Sequence, residues 1–264
     1  MKITHDFHIH TNLSVCAKEE ATLKGYLAHA KTLGLKQLGI SNHFWDSTIA
    51  GANEFYQPQD YQHLTKIQPE LDAYDGEIAL YFGCEAEYDP IHHGVAMKEE
   101  VAEKFDFILV PNSHTHMMMP AELYEPKQKH AEFMIQAYED ILNCNISRYI
   151  TAMAHPFEAV CCPYDNSLLI DMISDDTYRW LFDKTAEKGI AVEINVASMK
   201  EKTPEEVAAS SPIRLFRLAK ECGCKFLFGS DAHDLTAHDS YGNATLVAEL
   251  LGLQSDDLAP IVRK

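Results

Sequence analysis

The sequence has no long apolar run. Nothing in it approaches the roughly 18 consecutive apolar residues of a membrane span, so no membrane partner is expected. It is also short of basic residues, with 22 Lys and Arg against 40 Asp and Glu and a formal net charge of −18. A nucleic-acid backbone needs clustered Lys and Arg, so nucleic acid is set aside as a partner. A small anionic substrate is not, because bound divalent cations reverse the local potential of an acidic site. No CxxC pair occurs, which removes the usual cysteine-based structural zinc site. The seven cysteines are odd in number and scattered, which reads as reduced intracellular thiols rather than a disulfide framework. The adjacent Cys161 and Cys162 read as packed or idle thiols. Neither GxGxxG nor GxxxxGK[ST] is present, which weakens dinucleotide and P-loop readings. The opening MKITHDFHIH is short and polar, unlike a signal peptide, so the expected address is the cytoplasm.

What the chain does have is a regular alternation. Short apolar runs fall at about 2–9, 36–42, 78–85, 105–112, 148–154, 190–196 and 225–231, each flanked by turn-type residues, which favours strands. Amphipathic segments lie between them. In ATLKGYLAHAKTLG, Thr22 is the expected N-cap, Leu23, Tyr26, Leu27 and Ala30 form one stripe, and Gly34 is the stop. In SSPIRLFRLAKECG, Ser211 is the expected cap and Pro212 the first helical residue, with Cys222 on the core face before Gly223. Further helices are predicted near 59–74, 94–104, 130–142 and 176–188.

Repeated β-α units imply parallel strands with right-handed crossovers, either closed into a barrel or open as a doubly wound sheet. The polar residues discriminate. His8 and His10 follow strand 1, His43 strand 2, Glu85 strand 3, His114 and His116 strand 4, His155 strand 5, Asn195 strand 6, and Asp231 and His233 strand 7. All lie at C-terminal strand ends, which form one shared mouth in a barrel but lie far apart in an open sheet. The expected fold is therefore α/β, a distorted (β/α)7 barrel forming a single domain over residues 1–264.

Neutral imidazole and carboxylate suit Zn, Mn or Fe. In an extended strand, residues i and i+2 share a face, so His8 and His10 can reach one ion, and Asp231 and His233 repeat the spacing. Seven of the fourteen histidines fall at predicted strand ends.

The motifs DFHIHTNLS, SNHF, GCEAEYD, SHTH, AHPF and GSDAHD, in that order along essentially the whole chain, resemble the polymerase-and-histidinol-phosphatase (PHP) family of metal-dependent phosphoesterases, most closely its stand-alone histidinol-phosphatase-like members. The resemblance implies two or three divalent transition-metal ions at the mouth. By it, His8, His10, Glu85 and Asp231 would hold the first. His43, His233 and Cys16 would hold the second. Glu85 would bridge to a third, held by His114 and His155, with His116 as the alternative to His114. Two positions depart from the family pattern: Asn42 stands where Asp often precedes the strand-2 histidine, and Cys16 where His or Asp is usual.

The implied chemistry is hydrolysis of a small phosphate monoester by a metal-bound hydroxide, with Asp231, His233 and Glu85 at its centre. The cation for the phosphoryl oxygens is expected from Lys200, then Arg214, with Asn195 orienting substrate. The connection from Phe44 to about Gln59 has the length of a lid carrying Trp45, Phe55 and Tyr56. Competing readings are a barrel amidohydrolase, a protein-tyrosine phosphatase of the same fold, and a non-catalytic metal-binding regulatory barrel. Glu85 on strand 3 and the lack of a lysine ending strand 4 count against the amidohydrolase.

Overall fold

The computed structural model describes residues 1–199 and 203–263. Among the described residues ten strands form: β1 (His5–Ile9), β2 (Gln37–Ile40), β3 (His43–Phe44), β4 (Ala79–Ala86), β5 (Tyr88–Asp89), β6 (Gly94–Val95), β7 (Phe107–Pro111), β8 (Ala152–Ala154), β9 (Ala191–Asn195) and β10 (Lys225–Gly229). Seven of them run parallel in the order β1-β2-β4-β7-β8-β9-β10, with β3 added beside β4. β5 and β6 make a separate antiparallel pair. The sheet nearly closes on itself and helices cover its outside, giving the (β/α)7 barrel that the strand pattern implies. Among the described residues, no helix is long and apolar enough to cross a membrane.

The local signals act as their chemistry dictates. Thr22 caps the helix Leu23–Leu33 by accepting from the Gly25 amide, and Gly34 ends it in the left-handed region at φ 72°. The helix Ser211–Glu221 takes Ser210 rather than Ser211 as its N-cap, which moves Pro212 to the second position. The strand expected over 148–154 begins only at Ala152, because a 3-10 turn occupies Ser147–Tyr149. Around 94–104 the helix is confined to Glu99–Ala102, since Gly94 and Val95 pair with the preceding strand.

Inside the barrel, Phe7, Phe107, Leu109, Ala152, Ala154, Ala191 and Leu227 form a compact plug. Phe107 fits because its neighbours are small: a Cβ on Gly39 or Gly83 would come within 2.6 or 2.3 Å of its ring. The larger apolar cluster lies between strands and helices.

The seam between β1 and β10 is closed by a single backbone bridge, Ile9 to Ala232, and otherwise by side chains rather than by a full ladder. The register of β1 on β2 slips between Asp6 and Ile9, a bulge that bends the strand. Asp6 Oδ1 accepts from the His8 amide at 3.0 Å and from the Ser230 amide at 3.1 Å. His5 Nε2 accepts from the Phe228 amide at 3.1 Å. Tyr26 donates to the carbonyls of His10 and Ala232. Backbone groups that a regular ladder would have used are thus satisfied, as burial requires, and the two strands carrying His8, His10 and Asp231 are tied at their C-terminal ends.

Candidate metal centre

The C-terminal strand ends converge on Glu85, which is fully buried. Its Oε2 lies 3.5 Å from both His8 Nε2 and His10 Nε2, and 3.0 Å from His43 Nδ1. Its Oε1 lies 3.0 Å from His155 Nε2 and 3.6 Å from His114 Nε2. Asp231 Oδ1 lies 3.4 Å from His8 Nε2 and 3.2 Å from His10 Nε2. The backbone that presents these groups is unusual: His155 and Asp231 both have positive φ, 25° and 52°, conformations costly for non-glycine residues and held where the surroundings enforce them.

The outer nitrogen of each imidazole decides what the inner one can do. His8 Nδ1 donates to Glu193 Oε1 at 2.7 Å, and His114 Nδ1 donates to Glu87 Oε2 at 2.7 Å. His233 Nδ1 donates to the Asp231 carbonyl at 2.8 Å. Ser113 Oγ donates to the His155 carbonyl, so it accepts from His155 Nδ1 at 2.6 Å. Ser14 Oγ donates to Asn42 Oδ1, so it accepts from His10 Nδ1 at 3.2 Å. Five rings therefore carry their proton on Nδ1 and turn an Nε2 lone pair inward, the tautomer a metal ligand needs. Asn42 acts on His10 through Ser14, and does so without a charge.

Lone pairs gathered this way without donors repel. His8 Nε2 and His10 Nε2 are 3.1 Å apart, and Glu85 Oε2 and His43 Nδ1, 3.0 Å from each other, are buried with no well-aligned hydrogen bond. In the metal-free chain protons offset part of the negative charge. Burial opposes protonation of His8, yet Glu193, Asp231 and Glu85 raise it well above the usual imidazole range. Burial likewise opposes protonation of His114, and Glu85 and Glu87 raise it to about 9. Burial opposes ionisation of Glu85, but His114 and His8 hold its carboxyl well below the ordinary value. Four triads have ligand atoms within 4.8 Å of one another: His10-His43-His233, His8-His155-Asp231, His8-His10-Glu85 and His43-Glu85-His114. A donor set of this composition fits divalent transition ions, and the carboxylates of Glu85, Asp231, Glu87 and Glu193 match the charge of two.

His116 and Cys16 belong to none of the four triads. His116 is exposed on the wall of a cavity of about 180 Å³ over the donors, and His114 occupies the inner position. Cys16 is exposed on the same wall, with its sulfur against the site; desolvation and Glu85 push the thiol up to about 12. Asn195 holds Asp231, donating to Oδ2 at 3.4 Å. Arg214 is not brought to the site: its guanidinium bonds Asp175 and the carbonyls of Ile170 and Ile173. Lys200 lies outside the described residues. His92 and His93 pair with Asp89 and Asp140, away from the donors. Of the connection after β3, Phe55 and Tyr56 line the cavity, while Trp45 is buried against Tyr56. Cys161 also lines the cavity and is exposed there rather than packed.

Two carboxylates escape a reading of strand ends. Glu193 sits inside β9 and is fully buried; besides His8 it accepts from the His155 amide at 2.7 Å. Glu87 follows Glu85 by two residues and also accepts from the Tyr56 hydroxyl. Their signal was present as a charge within the apolar run AVEIN and as the i, i+2 repeat in CEAE.

A parallel barrel whose strand C-termini gather imidazoles and carboxylates defines a metal-binding (β/α)7-barrel protein. The family model for the PHP domain matches residues 6–197, and the chain belongs to that family. It is 24% identical over 233 residues to a probable phosphatase of Shewanella pealeana, covering 88% of this chain and 78% of the relative. The crystal structure of histidinol phosphate phosphatase from Lactococcus lactis, complexed with zinc, L-histidinol and phosphate, has a similar fold. Its TM-score is 0.62 at 18% identity, covering 94% of this chain and 93% of that one. A protein of Listeria monocytogenes described as a candidate histidinol phosphatase matches with TM-score 0.63 at 16% identity, over 91% of this chain and 99% of its own.

Proposed function

We propose that this protein hydrolyses small phosphate monoesters with two or three divalent transition-metal ions. The carrying observation is the set of five imidazoles whose Nδ1–H groups are each tied to an oxygen, leaving their Nε2 lone pairs free for a metal ion. His8, His10, Glu85 and Asp231 would hold one ion, His43 and His233 a second, and Glu85, His114 and His155 a third. Such ions supply an acidified water and a positive clamp on phosphoryl oxygens. The chain's own groups do the rest. Glu193 and Glu87 fix ring orientation and tautomer, Asn195 steadies Asp231, and the ring of Phe55 walls the approach from solvent. Lys200, on the segment after β9, is the candidate cation for the substrate. The family resemblance supports the phosphatase class over an amidohydrolase.

Metal analysis followed by a panel of phosphomonoesters, phosphodiesters and amides tests this. The expected result is phosphomonoesterase activity that a chelator removes and Zn²⁺ or Mn²⁺ restores. Amidase activity without phosphatase activity would overturn the proposal.

A further inference from the structure

Glutamine is mostly an exposed residue, yet Gln59 is fully buried at the end of the connection that follows β3. Each of its polar groups is used. Its amide donates to the Tyr56 carbonyl at 2.9 Å, and its carbonyl accepts from the Trp45 amide at 3.0 Å. Side-chain Nε2 donates to the Phe55 carbonyl at 2.9 Å, and Oε1 accepts from the Val15 amide at 3.1 Å. The first three bonds fold the connection on itself; the fourth reaches the loop after β1. A second tie joins the same two segments. His63 stands in the short helix Tyr61–Leu64, which Asp60 caps by accepting from the His63 amide. The lysine ammonium can only donate, so Lys66 Nζ, at 3.0 Å, makes His63 Nδ1 an acceptor. The ring proton is therefore on Nε2, which donates to the Leu13 carbonyl at 2.8 Å.

The two main-chain groups held in this way flank Ser14. Ser14 Oγ accepts from His10 Nδ1 at 3.2 Å and from the His43 amide at 3.3 Å, and donates to Asn42 Oδ1 at 2.9 Å. It meets the ring of one proposed metal ligand and the backbone of another. We infer that Gln59 and His63 are positioning residues of the metal centre: they clamp Val15 and Leu13 on either side of Ser14, and through Ser14 fix the His10 imidazole. This role presupposes the metal centre proposed above, but not the phosphatase activity. The geometry gives the clamp its reason. A serine hydroxyl stands on a short side chain, so Oγ is placed only as well as the backbone beside it. Val15 is exposed, and on that side the turn is held by its amide rather than by its side chain. Groups behind a metal-ligating histidine orient its ring and raise its affinity. Here that support extends one step further, into a segment that also supplies Phe55 and Tyr56 to the cavity wall.

The test is the Zn²⁺ affinity of the full chain, read by competition with a chromophoric chelator in a double-mutant cycle. Gln59→Met removes both side-chain bonds at similar volume, and His63→Leu removes the bond to Leu13. Each is expected to weaken affinity by about tenfold, the lower end of the effect of losing a partner behind a ligand. Ser14→Ala removes the oxygen that holds His10 and is expected to cost at least as much. Because the clamp acts through Ser14, adding Gln59→Met to Ser14→Ala is expected to change affinity by less than about twofold. His63→Gln, whose amide can donate in place of Nε2, is expected to keep the wild-type affinity. Substitutions at both ends of the clamp guard against one failing to fold, and thermal unfolding of the metal-free protein identifies the folded variants. Wild-type affinity in the folded Gln59→Met and His63→Leu proteins overturns the inference. So does a Gln59→Met loss that adds in full to that of Ser14→Ala, the mark of a general structural effect. Either result leaves the phosphatase reading intact. A wild-type protein that binds no Zn²⁺ would overturn the metal-centre reading and the inference with it.

Discussion

Gly229 sits where β10 passes behind His8 and Glu193. A Cβ there would fall 2.0 Å from Glu193 Oε1 and 2.4 Å from His8 Cβ. Ordinary carbon contacts lie near 3.5–4.0 Å, so Gly229→Ala must displace one neighbour by more than an ångström. The backbone there is not in the left-handed region, so only space forbids the methyl group. Glu193 cannot step aside cheaply, because both its oxygens are committed, to His8 Nδ1 and to the His155 amide, each at 2.7 Å. Overpacking of a rigid site costs about 1–3 kcal/mol, and a lost hydrogen bond to a charged group about 1.5–3 more. Gly229→Ala should therefore destabilise the metal-free protein by roughly 2.5–6 kcal/mol. Freeing His8 from its carboxylate should also weaken metal binding by about 10–100-fold. Glu193→Gln keeps the volume and removes the charge, so it should reproduce the affinity loss without the steric one. Chelator competition reads the first quantity and thermal unfolding of the metal-free protein the second. Wild-type values of both in Gly229→Ala would refute the reasoning. Lost stability with unchanged affinity would show that Glu193 does not transmit the strain to His8.

Three further outcomes follow from the same geometry. Asp231→Ala should lose bound metal and phosphatase activity together, and retention of more than about a tenth of the activity would contradict the donor set, a missing ligand being worth several kcal/mol of charge stabilisation. His5 is buried, and its Nε2 accepts the Phe228 amide at the barrel seam; burial lowers its pKa to about 4 against 6.5 when unfolded. The unfolded chain binds the extra proton between those values. Stability from this group is thus complete above pH 6.5 and falls by about 3 kcal/mol as pH drops towards 4. Urea unfolding across that range should show a shallower loss in His5→Gln, and identical slopes would exclude His5 as the sensor. Cys16→Ser should leave metal content unchanged, since the thiol lies outside the four triads; loss of one ion on metal analysis would instead assign the sulfur as a ligand.

Much of this arrangement was legible in the chain. HxH at the end of one strand and DxH at the end of another follow from the two-residue period of extended backbone, which puts both side chains on one face. The barrel was legible because seven strand ends each carried a polar residue, a pattern pointless in a sheet whose edges lie far apart. Less legible were the groups that act at one remove. Glu193 lies inside a strand, not at its end, and its partners stand 185 and 38 positions away. Arg214 looked available by proximity in sequence, yet its helix turns it towards Asp175.

By itself, then, the amino-acid sequence determined the alternation of strands and helices, the family, and the donors brought to the barrel mouth, because these depend on local periodicity and residue type. Only the tertiary structure decided which nitrogen of each histidine faces inward and that His114 takes the inner position while His116 and Cys16 stand on the wall. It also decided that Phe55, Met117 and Val160 line the cavity beside the donors. Those properties depend on which distant groups meet across the barrel, and hydrogen-bond partners separated by tens to hundreds of residues have no local signature.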